Sequence, residues 1–455
     1  MAKTPLKFID LFAGIGGFHR ALTTLEDFKG ECVLTCEMDT HCRHVYEANF
    51  GKQSTFSENI RLLTRAKVND PDSALDPDEI VKLVPKHDVL CAGFPCQPFS
   101  KSGKQHGEKD KTRGTLFYDI MEIVRARQPK YLILENVRNL AGPKHVDTLK
   151  TIITSIRNPD ISDAGYSVLD EPIILSPHVL PPSYKGGDGA PQVRERVFIL
   201  AIRGKNKKNE NKLKSILKEV QAYRNLEKGW NPDNWDLSDI LKRAPTDITK
   251  YKVSKSEAKW LKAWDDFVKV IPSDSLPGFP IWVEVFRGEL RPSRGFPKWK
   301  NNFINKNSDF YDKHKKVIDA WMKKHEVESF PPSRQKFEWQ ARKRHPKQTG
   351  RTIRDLVIQM RPSGIRVKPA NYLPALVAIT QTSIIGPDVI PGENKDYRTI
   401  TPAEAAFLQG MPADTFNKND LKLSDSIAYK QLGNAVNVGV IRFLAKRLLS
   451  GVKSS

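Results

Sequence analysis

A cysteine fixed between prolines, in Gly93-Phe94-Pro95-Cys96-Gln97-Pro98-Phe99-Ser100, is the stretch of this 455-residue chain with the clearest chemical intent. Thiolate is the reactive form of cysteine, and flanking prolines hold such a group in one place, ready to attack. The competing reading is a buried structural thiol in a proline-rich turn, since free cysteine is among the most buried residue types. Two further groups weigh against it. Glu135-Asn136-Val137 offers a carboxyl group suited to acid/base work. Gln192-Val193-Arg194-Glu195-Arg196 offers two arginines, Arg194 and Arg196, able to grip a phosphate or a base carbonyl.

The elements that must position these groups are short apolar runs. Asp88-Val89-Leu90-Cys91-Ala92 predicts a buried strand ending at Gly93, and Tyr131-Leu132-Ile133-Leu134 predicts another that delivers Glu135 at its carboxyl end. Open α/β sheets place ligands at the carboxyl ends of their strands, so Cys96 and Glu135 are expected to face one pocket. Val197 to Ile202 predicts a further strand, with Gln192, Arg194 and Arg196 alternating onto one of its faces. At the start of the chain Lys7 to Phe12 predicts a strand, followed by the glycine turn Ala13-Gly14-Ile15-Gly16-Gly17-Phe18 and a helix through Leu22. That order suits a nucleotide-like cofactor, because glycines let the backbone come close and the helix start offers free amides. The spacing is not the dinucleotide fingerprint, which needs Gly-x-Gly-x-x-Gly.

A second strand, Cys32 to Cys36, ends at Glu37-Met38-Asp39. Glu37 is placed to accept from ribose hydroxyls, while Asp39 can cap the helix His41–Phe50. Ser57-Glu58-Asn59-Ile60 reads as the end of a third strand and an edge for an adenine ring. Lys101 to Gly114 is polar, basic and punctuated by glycine, which fits a mobile lid closing on a phosphate backbone as well as a plain exposed loop. Leu116 to Arg127 is helical in pattern. Near the other end, Thr401 as N-cap, Pro402 at the first position and Glu404 at the third open a helix that runs to Gly410. Gln431-Leu432-Gly433-Asn434-Ala435-Val436 precedes an apolar helix, Val438 to Leu449, and Gly433 and Asn434 read as turn residues where that helix begins.

Composition limits the partners. There are 74 lysines and arginines against 53 aspartates and glutamates, a net charge of +21, which points to a polyanion and most simply to nucleic acid. No apolar run reaches membrane-spanning length, and the chain runs from Met1 into a strand without a signal-peptide pattern. The odd set Cys32, Cys36, Cys42, Cys91 and Cys96 suggests reduced thiols in a cytoplasm. Cys36, His41, Cys42 and His44 lie close together but lack a second spaced pair, so no metal site is expected. Between Lys205 and Gly350, 33 lysines and arginines face 19 acidic residues, two thirds of the net charge, and all eight tryptophans fall in this span. It reads as a separate basic domain with its tryptophans mostly in the core, its clearest helices being Ser254–Val268 and Asp309–His325.

In this order the motifs resemble the DNA (cytosine-5) methyltransferase family. The resemblance covers roughly residues 7–203 and 351–449. It rests on Phe12 to Gly17, the Gly93–Ser100 loop, Arg113-Gly114-Thr115-Leu116-Phe117, Glu135-Asn136-Val137, Gln192–Arg196 and Gln431–Val436. The resemblance implies an α/β fold, a Rossmann-like S-adenosylmethionine-dependent methyltransferase sheet with a second, smaller target-recognition domain. The expected division is a catalytic and cofactor-binding domain at 1–203, completed by 425–455, with target recognition and a hinge in 204–424. It implies site-specific methylation of carbon 5 of a flipped-out cytosine by S-adenosyl-L-methionine, through a covalent Cys96 adduct. Glu135 would bind the ring and Arg196 the base carbonyl, with Arg194 in support. Cofactor contacts fall on Phe12, Ala13, Gly14, Gly16, Gly17, Phe18, Glu37, Met38, Asn59, Ile60, Pro95, Leu116, Asn434, Ala435 and Val436. Asn59 stands where the family usually has aspartate, so its contact to the adenine amine must come from its amide oxygen.

The implied partner is double-stranded DNA, bound by a monomer in a bacterial cytoplasm without membrane association. A paired restriction endonuclease is also implied. Two alternatives are weighed: a methyltransferase acting on transfer RNA, which would carry a small recognition region, and a catalytically dead DNA-binding regulator, which would lack Cys96 or Glu135. The insert of roughly 150 residues favours duplex DNA. The recognition sequence is not legible, since no code links side chains to bases.

Overall fold

The computed structural model describes residues 3–53, 55–70, 73–95, 116–159, 165–242, 248–272, 275–341, 351–376, 383–390, 392, 395–418, 421 and 423–451. Cys96 and the basic segment 101–115 lie outside the described residues. The chain forms two compact units, Met1–Asn231 joined by Ala406–Ser455, and Pro232–Ala405.

The first unit is built on one sheet. Its strands are β1 (Thr4–Leu11), β2 (Phe28–Cys36), β3 (Phe56–Ser57), β4 (Val89–Gly93), β5 (Tyr131–Val137), β6 (Tyr166–Val168) and β7 (Ile173–Leu175). A two-residue β8 (Gln192–Val193) precedes β9 (Arg196–Arg203). The spatial order is β3-β2-β1-β4-β5-β9-β6, with β7 also on β9. The pairs from β3 through β5 are parallel, whereas β9 runs antiparallel to β5 and to β6 and β7. Parallel strands demand cover on both faces, which explains their near-continuous apolar runs. Ile9 and Leu11, Leu90 and Ala92, Leu132 and Leu134, and Val197, Ile199 and Ala201 share one buried face with Ile120, Ile123 and Val124 of the helix Leu116–Arg127. On the other face Phe8 meets His19 of α1 (Gly17–Thr23) edge-on at 5.6 Å. The register sets Gly93 beside Glu135, and Val137 beside Arg196, at one end of the sheet.

The expected domain boundaries need correction on both sides of the insert. The helix Lys207–Arg224 belongs to the first unit, where Glu219 forms a bidentate pair with Arg447 (2.9 and 2.7 Å) and Tyr223 packs edge-on against Phe443 at 5.1 Å. Residues 406–424 belong there too. Asn437 Nδ2 donates to the Leu408 carbonyl (3.1 Å), and Gln409 Nε2 to that of Leu432 (2.9 Å).

The second unit holds a sheet in which Ile281–Trp282, Lys336–Trp339, Gly364–Pro369, Leu356–Arg361, Ile384–Ile385 and Arg398–Thr399 lie in that spatial order. Its core is aromatic: Trp264 stacks on Phe337 at 4.6 Å and 8° and meets Trp321 at 4.9 Å. Both indoles also find carbonyls, Trp264 that of Arg334 (2.9 Å) and Trp321 that of Ala263 (2.7 Å). The expected helix at Ser254 is present as Lys255–Val270 with Ser254 and Glu257 forming a capping box. The other begins earlier than its apolar pattern suggests, at Lys298, and runs to His325. Asn307 ties its polar first turns down, accepting from Trp282 N (2.8 Å) and donating to Pro280 O (3.0 Å). The Thr401 start forms as expected: Glu404 N donates to Thr401 Oγ1 (3.2 Å) and Glu404 Oε2 accepts from Thr401 N (2.8 Å). Arg398, buried beside it, grips both oxygens of Glu404 at 2.9 and 2.8 Å.

Candidate active site

The glycine turn that follows β1 is strained and held from below. Phe12 (φ 56°), Gly14 (φ 55°) and Gly16 (φ 84°) all take left-handed backbone, which a residue with a Cβ adopts only at some cost. Ala13 N donates to Cys36 O (3.0 Å), and the Glu37 carboxylate accepts from Gly14 N and Asp39 N, both at 2.8 Å. Glu37 thus joins the two turns at the ends of β1 and β2. Asp39 takes the capping role, accepting from His41 N (2.9 Å) and Cys42 N (3.1 Å) at the start of the helix Thr40–Phe50. Met38 between them is 73% exposed.

The three glycines of the turn do different work. A Cβ on Gly16 would lie 2.2 Å from the Phe50 ring, and one on Gly17 would lie 2.4 Å from Val436 Cγ2 and 2.8 Å from its carbonyl oxygen. Those two permit packing. A Cβ on Gly14 would meet nothing within 4 Å, so the open side of the turn lies there, over the Glu37 carboxylate. Asn59 caps the short turn Ile60–Leu62, its amide oxygen accepting from Arg61 N (3.1 Å), so the oxygen expected to meet adenine already serves the backbone. Ile60 is buried, Leu116 half-buried and Pro95 exposed.

At the other side of this cradle four residues converge. The position of a Cβ on Gly93 is 3.5 Å from Val436 Cγ1, 3.7 Å from Phe18 Cε2 and 3.8 Å from Glu135 Oε2. Asn136 Nδ2 donates to the Phe94 carbonyl (2.9 Å) while its oxygen accepts from Val137 N (2.9 Å). It therefore fastens Phe94, two residues before Cys96 in the sequence, to β5, a role hidden in the sequence behind its neighbour Glu135. Glu135 is buried, and Arg196 Nε stands 3.1 Å from its Oε1. Burial pushes the Glu135 carboxyl above the usual carboxylate range despite the opposing pull of Arg196 and Arg194. Burial likewise lowers the pKa of Arg196, with Glu135 opposing.

Arg194 departs from expectation. The chain breaks between β8 and β9, so Gln192, Arg194 and Arg196 do not line one face of a single strand. Arg194 is only 2% exposed and turns inward, its Nη2 donating to the carbonyls of Gly433 (2.8 Å) and Ala435 (2.7 Å). Its own N–H donates to Ser176 Oγ (2.8 Å), a partner nothing in the sequence flags. Burial, then the nearby Arg196, lower its pKa to about 9. Gly433 and Asn434 also need correction: they end the helix Asp425–Asn434 rather than begin the next, and Asn437 caps Val438–Leu449. Arg194 is thus a cation at a helix C-terminus, where unpaired carbonyls favour one.

One further buried group was legible as a charge inside an apolar strand. Asp10 in β1 is fully buried, and desolvation raises its pKa well above the usual range. Cys32 and Cys36 are pushed up to about 11 and about 12, and Cys42 and Cys91 also upward, all mainly by burial. Among the described residues no group of three or more His, Cys, Asp or Glu is arranged to hold a metal ion.

The family model described as C-5 cytosine-specific DNA methylase matches residues 6–450. The chain belongs to this family. As a C-5 cytosine methylase it is a DNA-cytosine methyltransferase, and relatives of full length agree. It is 35% identical to the Type II methyltransferase M.AluI of Cellulosimicrobium cellulans, over 98% of this chain and 92% of that protein. It is 30% identical to the Type II methyltransferase M.BanI of Aneurinibacillus aneurinilyticus, over 96% and 94%. The methylase shares its fold with the crystal structure of the S. pombe Dnmt2 methyltransferase, at a TM-score of 0.51 and 16% identity over 98% of both chains. That likeness accords with the Rossmann-like α/β sheet of the first unit. No helix among the described residues of the methylase is long and apolar enough to cross a membrane.

Proposed function

We propose that this chain methylates carbon 5 of a cytosine flipped out of duplex DNA, through a covalent bond from Cys96, at one short sequence. The observation that carries the reading is the buried Glu135, paired with half-buried Arg196 and set in register beside Gly93, three residues before Cys96. The open side of the turn at Gly14, with the Glu37 carboxylate beneath it, fits S-adenosyl-L-methionine. Glu37 would take the ribose hydroxyls, Ile60 the adenine face, the second lone pair of the Asn59 amide oxygen the adenine amine, and Phe18 and Val436 the wall towards Glu135. Phe12, Ala13, Leu116, Pro95, Asn434 and Ala435 complete the assignment. When bound, that cofactor supplies an electrophilic methyl group.

The residues of the chain then account for the rest. Carbon 5 of cytosine is a weak nucleophile. Addition of the Cys96 thiolate to carbon 6 makes the ring an enamine with electron density at carbon 5. Glu135, biased by burial towards its neutral form, donates to ring nitrogen 3 and accepts from the exocyclic amine as charge develops. Arg196 turns from Glu135 to the base carbonyl. Once carbon 5 carries the methyl, its proton passes to water, and the electron pair of that C–H bond re-forms the 5,6 double bond as the carbon 6–sulfur bond breaks, releasing the Cys96 thiolate and restoring the aromatic ring. None of these atoms is within reach in a stacked duplex, so the base must leave the helix. The biological role we propose is protection of bacterial DNA from a cognate restriction endonuclease, with the protein acting as a monomer.

The test uses duplexes of random sequence containing 5-fluorocytosine. Fluorine cannot leave as the proton does, so the adduct should persist. The wild-type chain with cofactor is expected to give a protein–DNA species stable to denaturant, and Cys96→Ala none. A cofactor-binding wild-type chain that gives no such species would overturn the proposal.

A further inference from the structure

The second unit carries an exposed cationic turn that the chemistry above does not use. It joins the helix Val283–Phe286 to the helix Lys298–His325. Arg291, Arg294 and Lys298 are exposed, and among the described residues none of them pairs with a carboxylate. The acidic groups nearby are already neutralised: Glu289 by Arg287 at 2.6 Å and Glu284 by Lys336 at 3.0 Å. The turn has a fixed shape. Asn301 accepts from Ser293 N (3.1 Å) and donates to Ser293 O (2.8 Å), while Ser293 O also accepts from Phe296 N (3.1 Å). Beside the cations stands Trp299, 59% exposed, on the edge of an open groove it shares with Trp282, Leu290 and Lys336.

Exposed cations without carboxylate partners, gathered on a preformed turn, make a positive surface that attracts a polyanion. An indole left in water beside them offers a flat apolar face at the same surface. The polar side chains of the turn, Ser293 and Asn301, are spent on its own backbone, and Arg291 Nε donates to the Gly288 carbonyl (3.1 Å), which leaves cationic donors and no side-chain acceptor for a partner. Arginine and lysine contacts to phosphate oxygens fix a protein on the duplex without reading its bases. We propose that this turn grips the phosphate backbone of duplex DNA outside the target base, through Arg291, Arg294 and Lys298, with Trp299 against the sugar edge. The proposal rests on duplex DNA being the substrate.

The experiment compares the full-length wild type with Arg291→Ala/Arg294→Ala/Lys298→Ala, with Trp299→Ala, and with a control of equal charge, Lys313→Ala/Lys316→Ala/Lys323→Ala, on exposed positions further along the same helix. Binding is followed by fluorescence anisotropy over a salt series, on one duplex that contains the methylated sequence and one that lacks it. The turn variant is expected to lose about 3 units of salt slope and about 100-fold in affinity at 0.15 M salt, equally on both duplexes. Trp299→Ala should lose affinity with the slope unchanged, and the control should lose less than the turn variant. The KM for DNA should rise while kcat holds. An equal loss in the control, an unchanged slope in the turn variant, or a loss confined to the duplex with the methylated sequence would each overturn the proposal. If the wild type fails to methylate any duplex, the substrate reading itself falls, which is a separate and visible outcome.

Discussion

Arg194→Ala tests whether two arginines two residues apart do different jobs. The change removes a buried guanidinium that donates at 2.8 and 2.7 Å to the carbonyls of Gly433 and Ala435. Hydrogen bonds to a charged group contribute about 1.5–3 kcal/mol each, so the pair amounts to about 3–6 kcal/mol. The dehydration that lowers the Arg194 pKa to about 9 offsets part of this. A net loss of about 2–4 kcal/mol is expected, or roughly 5–15 °C in Tm for a unit of this size. The Gly433–Ala435 carbonyls lead directly into Val436, which abuts Gly17, so cofactor affinity should fall with stability. Arg196→Ala removes a side chain whose pairing with Glu135 is at 3.1 Å near the surface of the site. It should cost no more than about 1 kcal/mol of stability, and 10²–10³-fold in turnover, roughly the effect of one lost donor to developing charge. Calorimetry, cofactor titration and single-turnover methylation separate these outcomes. An Arg194→Ala protein with native Tm and cofactor affinity but no turnover would refute the division, and would place Arg194 on the substrate.

Glu135→Gln should reduce turnover by about 10²–10⁴-fold with cofactor binding intact. Because burial raises the Glu135 pKa, the neutral acid persists to higher pH than an ordinary glutamate allows; the wild-type rate should fall as pH rises through that raised value, and a profile whose only fall lies on the acid side would contradict the assignment. The same raised pKa stabilises the fold at low pH and loses that contribution as pH rises, so Glu135→Gln should gain stability over wild type on the alkaline side in urea titrations. Gly14→Ala should leave packing intact, lower stability by only about 1 kcal/mol for its left-handed backbone and weaken cofactor binding at least tenfold, since its Cβ enters open space, whereas Gly17→Ala should lower Tm further, and affinity with it, because Val436 stands 2.4 Å away; thermal melts and calorimetric titration distinguish them. Alkylation at neutral pH, mapped by mass spectrometry, should fall on Cys96, because burial raises the thiol pKa of the other four cysteines. Preferential labelling of Cys32 or Cys42 would count against a specially reactive Cys96.

The strands that carry the site were legible because each is an apolar run closed by glycine, proline or a charge. Ile9 and Leu11, or Leu132 and Leu134, declare a buried face by their spacing, and Glu135 then had to sit at a strand tip. Glu37 and Asp39 were separable on local grounds, since only one of them is placed to cap the next helix. What could not be read was set by partners far along the chain. The inward turn of Arg194 depends on carbonyls near residue 435, and the break between β8 and β9 follows that turn. Gly433 and Asn434 close one helix because the next waits for Asn437, which the flanking composition does not announce. The helix Lys207–Arg224 looks like the start of the basic insert, yet its Glu219 and Tyr223 are claimed by Arg447 and Phe443. The tryptophans were read correctly as core material at Trp235, Trp264, Trp321 and Trp339, while Trp299 stays in solvent and Trp230 lies in the first unit.

The most direct test of the central claim is deamination-based sequencing of plasmid DNA from cells expressing the chain, beside the Cys96→Ala protein. Cytosines protected within one short sequence, and unprotected with Cys96→Ala, are the predicted result. Uniform deamination with the folded, cofactor-binding wild type, or the same protection with Cys96→Ala, would contradict it.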